Sequence, residues 1–209
     1  MKLLIAVPSV DMVHAEFVKS LVALVQRLHR DGVDADVKMI TGTLVYVARD
    51  RLAAHAIQNE YTDILWLDAD MVFSDELLYD LQFAHKDFVS GIARSRRWPY
   101  TSCVFKDLDA LERYDPFPTD TFEIAGCGFA CVLMKVDILK QVRDKYKTCF
   151  LPMSEYGEDL AFCKRAAALG IKMWAEPGAR LGHIGQLIIY PDDAEQLRNI
   201  NVQGGVNNA

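Results

Sequence analysis

The first half of the chain alternates short apolar runs with segments of helical periodicity, and this order permits few architectures. The apolar runs are residues 2–7, 35–40 and 63–67, and each has the length and composition of a buried strand. Between the first two runs, apolar side chains recur at helical spacing from Phe17 to Leu28, and Gly32 then stops the helix. The later part of "TGTLVYVARDRLAAHAIQ" is also helical by composition. The order β-α-β-α-β-α predicts an α/β fold with a mostly parallel central sheet and helices on both faces.

The second half of the chain is less regular but continues the same type of fold. Residues 87–93 predict another buried strand, and residues 123–135 predict a glycine-kinked turn that enters a strand. Asp137 is predicted to cap a helix that ends near Tyr146, and a further helix is predicted over residues 158–169. Because the 209 residues contain no repeat and no linker, we expect one domain over residues 1–185 and a polar C-terminal tail over residues 186–209.

Composition and charge argue against several classes of function. The net charge of -6 disfavours nucleic-acid binding, which needs a basic face. The opening "MKLLIAVP" is too short for the apolar core of a signal peptide, and no segment has the roughly 18 apolar residues that span a bilayer. Five cysteines without C-x-x-C spacing favour reduced thiols over a disulfide framework or a zinc site. We therefore expect a soluble, cytoplasmic protein.

Two aspartates, Asp68 and Asp70, directly follow the third apolar run in "DILWLDADMVF". Two other D-x-D triplets occur, at residues 34–36 and 107–109, so the bare pattern decides nothing. Only the Asp68/Asp70 pair follows a fully apolar strand in the β-α succession, where open α/β sheets bind their ligands. In an extended segment both carboxylates project to the same side. Carboxylates with phosphate oxygens are the usual ligands of Mg²⁺ and Mn²⁺, so the pair predicts a metal and nucleotide site.

The alternative for this pair is a local structural role, as a helix cap or turn former. Ser74 already supplies a predicted N-cap for the next helix, and Asp75 and Glu76 suit its first turn. That reading leaves the earlier carboxylates unexplained, and we favour the metal site.

Several separate motifs resemble glycosyltransferases of the GT-A (Rossmann-like) fold, most closely the family 2-like members, over about residues 1–185. The glycine-rich "AGCGFACVLMK" is similar to the acceptor-side loop of that family. Asp50 stands where the family usually has asparagine. The other matching positions are Pro8 and Ser9 in "AVPSVD", Arg49 and Asp50 in "VARDRLAAHA", Asp68, Ala69 and Asp70 in "LDADMVF", Glu158 and Asp159 in "YGEDLAFCKRAAALG", and His183 in "LGHIG".

The resemblance implies a role for each of these positions. Residues 8–9, 49–50 and 68–70 would contact the nucleotide of a nucleotide-sugar donor. Asp70 and His183 would hold Mn²⁺ or Mg²⁺, and Asp68 would bind either the same metal or the ribose hydroxyls. Asp159, with Glu158 beside it, would act as the catalytic base of an inverting transferase, and a retaining reaction stays open. The alternative for the last two is that acidic residues simply favour a helix N-terminus.

One loop combines positive charge with aromatic rings: Arg94, Arg96 and Arg97 are followed by Trp98 and Tyr100. Arginines suit phosphates and aromatic faces suit sugars, so the loop either borders the donor or acceptor or is a solvated connection with Trp98 packed down. Gly126 and Gly128 are expected to permit a tight passage of the backbone.

Three functions fit these observations. The leading one is transfer of a sugar from a UDP- or GDP-linked donor to an acceptor hydroxyl on a glycan, lipid or protein. Recognition of the acceptor at an interface between subunits of a homo-oligomer stays open. The second is nucleotidyl transfer, against which "PSVDMVH" offers no glycine-rich, lysine-bearing phosphate loop. The third is nucleotide-sugar binding without catalysis.

Overall fold

The computed structural model describes residues 1–96 and 98–185. Arg97 and the predicted tail, residues 186–209, lie outside the described residues. The helices are α1 Ala15–Arg30, α2 Val45–Gln58, α3 Leu77–Phe83, α4 Val136–Tyr146 and α5 Glu158–Ala167. The strands are β1 Lys2–Pro8, β2 Asp34–Ile40, β3 Asp63–Leu67, β4 Met71–Val72, β5 Phe88–Ile92, β6 Val104–Asp107, β7 Glu112–Arg113, β8 Phe122–Ile124, β9 Gly126–Cys127, β10 Cys131–Lys135, β11 Met173–Arg180 and β12 Gly182–His183.

A seven-stranded sheet in the order β2-β1-β3-β10-β5-β11-β8 forms the centre of the molecule. Strands β2, β1 and β3 are parallel neighbours, and β11 is parallel to β5. Strand β10 runs antiparallel between β3 and β5, and β8 is an antiparallel edge strand. Five strands therefore share one direction, which confirms the predicted mostly parallel α/β sheet.

Helices cover both faces of this sheet because neighbouring strand residues point to opposite sides. In β3, Trp66 belongs to the core under α2, α4 and α5, whereas Leu65 belongs to the core under α1 and α3. Four phenylalanines pack around or near Trp66, and they are Phe88, Phe129, Phe150 and Phe162. All five cysteines are free, and four of them are buried, as expected for reduced core residues. Among the described residues, no helix has the length and apolar character needed to cross a bilayer.

Two predicted helix caps are wrong. Helix α3 begins at Leu77, with Glu76 rather than Ser74 at the capping position, and no side chain caps it. The carbonyl of Ser74 accepts a hydrogen bond from Leu77 N–H in the turn that precedes the helix. Asp137 lies inside the first turn of α4, where it pairs with Lys140 at 2.8 Å. A polar residue near a helix start identifies the turn but not the residue at which the helix begins.

Candidate functional site

A cavity of about 530 Å³, called the aspartate cavity below, opens at the carboxyl ends of β1 and β3. Open α/β sheets bind their ligands at this edge, in the crevice outside the carboxyl ends of the strands. The fold brings to it eight of the residues proposed from the sequence. They are Pro8, Ser9, Arg49, Asp68, Ala69, Asp70, Glu158 and Asp159.

A second cavity of about 390 Å³ adjoins the first and is called the Arg113 cavity below. Arg96 and Asp159 line both cavities, so they stand at the junction. His183 lines the second cavity, together with Arg113, Cys103 and Phe105. The last three were not proposed from the sequence. Cys103 and Phe105 resemble ordinary core residues, and Arg113 sits in a charged stretch that predicts only a solvated turn.

The loop after β1 forms one wall of the aspartate cavity and is tied to neighbouring elements by its backbone. Ser9 N–H donates to the carbonyl of Ile40 at 2.9 Å, and Ser9 Oγ donates to the carbonyl of Met12 at 3.0 Å. Gly42 N–H donates to the carbonyl of Val10 at 2.8 Å. These bonds fix the loop beside the end of β2 and leave the lining side chains in place for a ligand.

Arg49 lies beneath Asp68 and is 2% exposed. Its Nη2 donates to Asp68 Oδ1 at 2.8 Å, and its Nε lies 3.5 Å from Glu158 Oε1. The guanidinium also lies within 6 Å of the ring centres of Trp66 and Phe129. Burial raises the pKa of Asp68, and the charge of Arg49 opposes this shift. Arg49 therefore orients Asp68 and Glu158 from below.

Asp70 is held on the other side of the pair by Arg96 and His183. Arg96 Nη1 donates to Asp70 Oδ2 at 2.6 Å, and His183 Nε2 lies 3.3 Å from the same oxygen. Burial acts to raise the pKa of Asp70, but the hydrogen bond from His183 and the two positive charges outweigh it, and the pKa is lowered. The hydrogen bond with Asp70 raises the pKa of His183 in turn.

Backbone pairing explains how His183 reaches this position. The short strand β12 pairs with β4, so that His183 lies opposite Met71 and next to Asp70. Ile184 N–H donates to the carbonyl of Asp70 at 2.9 Å. The carbonyl of Arg94 accepts from His183 Nδ1 at 2.7 Å, which places the proton on Nδ1 and turns Nε2 toward Asp70.

Asp70 and His183 have the chemistry and spacing of two ligands of one divalent cation. Their 3.3 Å separation is close to the roughly 3 Å between adjacent ligands of an octahedral ion with bonds of about 2.1 Å. A carbonyl that accepts from the other ring nitrogen is the usual second partner of a metal-binding histidine. Within residues 1–96 and 98–185, no three His, Cys, Asp or Glu side chains form a complete cage. The donors present therefore fit an ion whose remaining ligands are phosphate oxygens or water.

Asp159 occupies the first turn of α5 and faces the loop before β10. Its Oδ1 accepts from Leu160 N–H at 2.7 Å. A Cβ built on Gly128 would lie 3.6 Å from Asp159 Oδ2, so this glycine borders the carboxylate. Burial raises the pKa of Asp159, and the charge of Glu158 adds to the shift. The carboxylate thus binds a proton more tightly than an exposed aspartate does.

Asp50, proposed from the sequence to contact the nucleotide, makes its hydrogen bonds within the protein. Its carboxylate accepts from the N–H groups of Cys149 at 2.8 Å and Phe150 at 3.0 Å, and from the Thr148 hydroxyl. Asp50 does not line the aspartate cavity. Adjacent residues of a helix point in directions about 100° apart, so Arg49 faces the cavity while Asp50 ties α2 to residues 148–150.

The basic and aromatic loop divides between two roles. Arg96 reaches the aspartate pair, whereas Arg94 pairs with both carboxylate oxygens of Asp115 at 3.1 Å. Trp98 is 83% exposed, so the alternative in which it packs down does not hold.

Comparisons with known proteins bear on the fold. No family model matches this sequence, and no curated protein matches it. Among solved structures, A197 from STIV is similar at 18% identity and a TM-score of 0.62, covering 89% of this chain and 87% of the other. UDP-glucose pyrophosphorylase complexed with UDP-glucose is similar at 7% identity and a TM-score of 0.53, covering 85% and 90%.

A third similar structure is 4-diphosphocytidyl-2C-methyl-D-erythritol synthase from Anaerococcus prevotii DSM 20548, at 12% identity and a TM-score of 0.50. It covers 97% of this chain and 96% of its own. These likenesses extend over most of each chain and concern the backbone. The chain has a GT-A-like Rossmann fold.

Proposed function

We propose that this protein is a metal-dependent glycosyltransferase that moves a sugar from a UDP- or GDP-linked donor to an acceptor hydroxyl with inversion. The observation that carries the proposal is the position of Asp159 at the junction of two adjoining cavities, one of which contains the aspartate pair. A group-transfer enzyme needs two bound molecules and a proton acceptor between them. The aspartate cavity suits the donor, and the Arg113 cavity suits the acceptor.

The residues of the aspartate cavity would bind the donor by its nucleotide and diphosphate. Pro8, Ser9 and Ala69 line the wall beside the strand ends, and Asp68, fixed by Arg49, is placed to accept from ribose hydroxyls. Asp70 and His183 would hold Mn²⁺ or Mg²⁺. A bound divalent cation stabilises the negative charge that grows on the departing diphosphate. Arg96, which borders Asp70, can turn its guanidinium to the same charge.

Asp159 is suited to activate the acceptor. A hydroxyl becomes a competent nucleophile when its proton is removed, and a carboxylate with a raised pKa is a stronger base than an exposed one. The acceptor oxygen forms a bond to the anomeric carbon, the bond from that carbon to the phosphate oxygen breaks, and the hydroxyl proton passes to Asp159. Glu158, paired with Arg49, keeps the start of α5 in position.

Nucleotidyl transfer is the second candidate, because two of the similar structures are a UDP-glucose pyrophosphorylase and a diphosphocytidyl-methylerythritol synthase. That reaction uses a phosphate as nucleophile, which is already anionic and needs no base. The loop after β1, residues 9–14, has neither glycine nor lysine, and no lysine occurs among the described residues that line the aspartate cavity. These features favour glycosyl transfer.

One experiment separates the candidates. The protein is incubated with UDP- and GDP-linked sugars and Mn²⁺, with and without pyrophosphate, and the nucleotide products are separated. Glycosyl transfer or slow donor hydrolysis releases a nucleoside diphosphate, whereas reversed nucleotidyl transfer consumes pyrophosphate and yields a nucleoside triphosphate. We expect the wild-type protein to release the nucleoside diphosphate. The Asp159→Asn variant should release it about 10²–10⁴-fold more slowly.

The control is Asp34→Asn, which alters an exposed member of another D-x-D triplet on β2 and should leave the rate unchanged. Formation of nucleoside triphosphate would move the assignment to nucleotidyl transfer. Nucleotide binding without any turnover, unaffected by Asp159→Asn, would identify a binding protein.

A further inference from the structure

Arg113 is a fixed cation on the wall of the Arg113 cavity. Its Nη1 donates to the carbonyl of Ser102 at 2.7 Å, and its guanidinium carbon lies 4.5 Å from the ring centre of Phe105. Both partners are rigidly held, since Ser102 is completely buried and Phe105 is 4% exposed. The hydrogen bond and the aromatic face therefore hold the guanidinium in one place.

The charge of Arg113 is not neutralised within the described part of the chain. No carboxylate of residues 1–96 or 98–185 forms an ion pair with Arg113, whereas Arg94 and Arg96 each have one such partner and Arg49 has two. An arginine has five N–H donors, and the bond to Ser102 uses one of them. The remaining donors include the fork that binds carboxylates and phosphates in two-point fashion.

The two cavities differ in the balance of arginines and carboxylates that line them. The wall of the Arg113 cavity carries Arg96 and Arg113 against one carboxylate, Asp159. The aspartate cavity has the opposite balance, with two arginines against five carboxylates. Those carboxylates are Asp11, Asp68, Asp70, Glu158 and Asp159. An anionic group without a metal ion is therefore accommodated in the Arg113 cavity rather than in its neighbour.

We infer that the acceptor is a small hydroxyl compound that also carries a phosphate or a carboxylate, and that Arg113 binds this group while the hydroxyl faces Asp159. The inference rests on the proposed function and specifies its acceptor. A volume of about 390 Å³ is within the range of small-molecule sites and suits one substituted sugar ring. Phosphate and carboxylate share the geometry that a guanidinium recognises, and the test separates them.

Matched sugars test the inference by binding. Glucose, glucose 6-phosphate and glucuronate are titrated by calorimetry at constant ionic strength, with and without UDP and excess Mg²⁺. We expect the phosphate or the carboxylate probe to bind at least tenfold more tightly than glucose. Arg113→Gln should remove that preference and leave the UDP-induced rise in melting temperature unchanged. Arg113→Lys should keep part of it, because one positive charge remains.

The control is Arg30→Gln, which removes an exposed arginine at the end of α1. It should change the affinity for neither the charged sugars nor glucose. Equal affinity for charged and neutral sugars, or a preference that survives Arg113→Gln, would overturn the inference. Failure of the proposed function would give a different result: neither UDP nor GDP would raise the melting temperature in the presence of a divalent cation. The titrations without nucleotide still decide the role of Arg113 in that case.

Discussion

Asp68 and Asp70 are two residues apart, but their carboxylates lie in opposite environments. Asp68 rests on the buried Arg49, and burial raises its pKa. Asp70 is bordered by Arg96 and His183, and their hydrogen bonding and charge lower its pKa despite burial. A carboxylate that is anionic over a wide pH range is the better metal ligand. The environments therefore favour Asp70 as the ligand and Asp68 as a positioned acceptor of hydrogen bonds.

The raised pKa of Asp159 predicts a measurable cost to stability. The folded protein binds this proton more tightly than the unfolded chain, so the carboxylate destabilises the fold as pH rises from its unfolded pKa of about 3.9 through its folded pKa. Asp159→Asn removes that cost. At pH 7 with a chelator present, we expect it to raise stability by about 1 kcal/mol, or roughly 2–4 °C in melting temperature.

The pH dependence distinguishes this effect from a change in packing. The advantage of Asp159→Asn should shrink on acidification and vanish below about pH 3, where the wild-type carboxyl is protonated in both the folded and the unfolded state. Asp34→Asn, at an exposed site, should show no such trend. An advantage that is constant from pH 4 to 8 would show that ionisation of Asp159 is not its source.

Arg49 should contribute more to stability than any other cation of the site. Arg49→Met keeps the length of the side chain but leaves Asp68 and Glu158 without their buried partner. Removing one member of a buried ion pair costs about 3–5 kcal/mol. We expect a loss near the lower end of that range in urea unfolding, because Asp68 remains 31% exposed.

Arg51, one residue beyond Asp50 on the same helix, provides the matched control. It is exposed, and Arg51→Met should change the free energy of unfolding by less than about 0.5 kcal/mol. Equal losses in the two variants would mean that Arg49 acts through helix propensity or charge number and not through the buried pair.

Strand β9 and the loop that joins it to β10 contain one glycine each, Gly126 and Gly128, and the two have different requirements. A Cβ on Gly126 would lie 2.9 Å from Cys163 Cβ and 3.0 Å from the methyl carbons of Leu108. A Cβ on Gly128 would meet nothing closer than 3.6 Å. The expected tight passage of the backbone is therefore confirmed at Gly126 only, and Gly128 leaves space beside Asp159.

The two alanine variants should separate folding from function. Gly126→Ala overpacks the core and should cost about 1–3 kcal/mol in unfolding free energy. Gly128→Ala should fold with nearly wild-type stability but weaken binding of acceptor probes, because its methyl group enters the Arg113 cavity. If Gly128→Ala bound those probes normally, this cavity would not be the acceptor site.

Sequence reasoning located most strands and helices because their signals are local. The apolar runs before Asp68 and around Val89 end within a residue or two of the observed strands β3 and β5. The antiparallel insertion of β10 between them could not be predicted, since an apolar run carries no information about direction or neighbours. Likewise, the role of Asp50 depends on residues 148–150, almost one hundred positions away.

The candidate site shows the same division between local and distant information. The aspartate pair and the residues of α5 could be proposed from the sequence because each sits at a recognisable strand end or helix start. Arg113 could not, because its importance comes from Ser102 and Phe105, which the folding of β6 and β7 places beside it. A charged residue in a short polar segment has no sequence pattern that separates a ligand contact from a solvated side chain.

The charge of the protein and of its aspartate cavity decides how a nucleotide can bind. The protein has a net charge of -6, and the aspartate cavity concentrates carboxylates around arginines that are already paired. A nucleoside diphosphate entering alone would be repelled. We therefore predict that UDP or GDP with a chelator leaves the melting temperature unchanged, and that Mn²⁺ or Mg²⁺ is required for any rise.

With the cation present, the size of the effect follows from mass action. A nucleotide at one hundred times its dissociation constant stabilises the folded state by about 2.7 kcal/mol, which is roughly 5–10 °C for a chain of this length. Asp70→Asn should abolish this rise because it removes the carboxylate between His183 and Arg96, while Asp34→Asn should retain it. Stabilisation that persists in the chelator, or in Asp70→Asn, would mean that the diphosphate is held by arginines alone and that the aspartate pair serves another purpose.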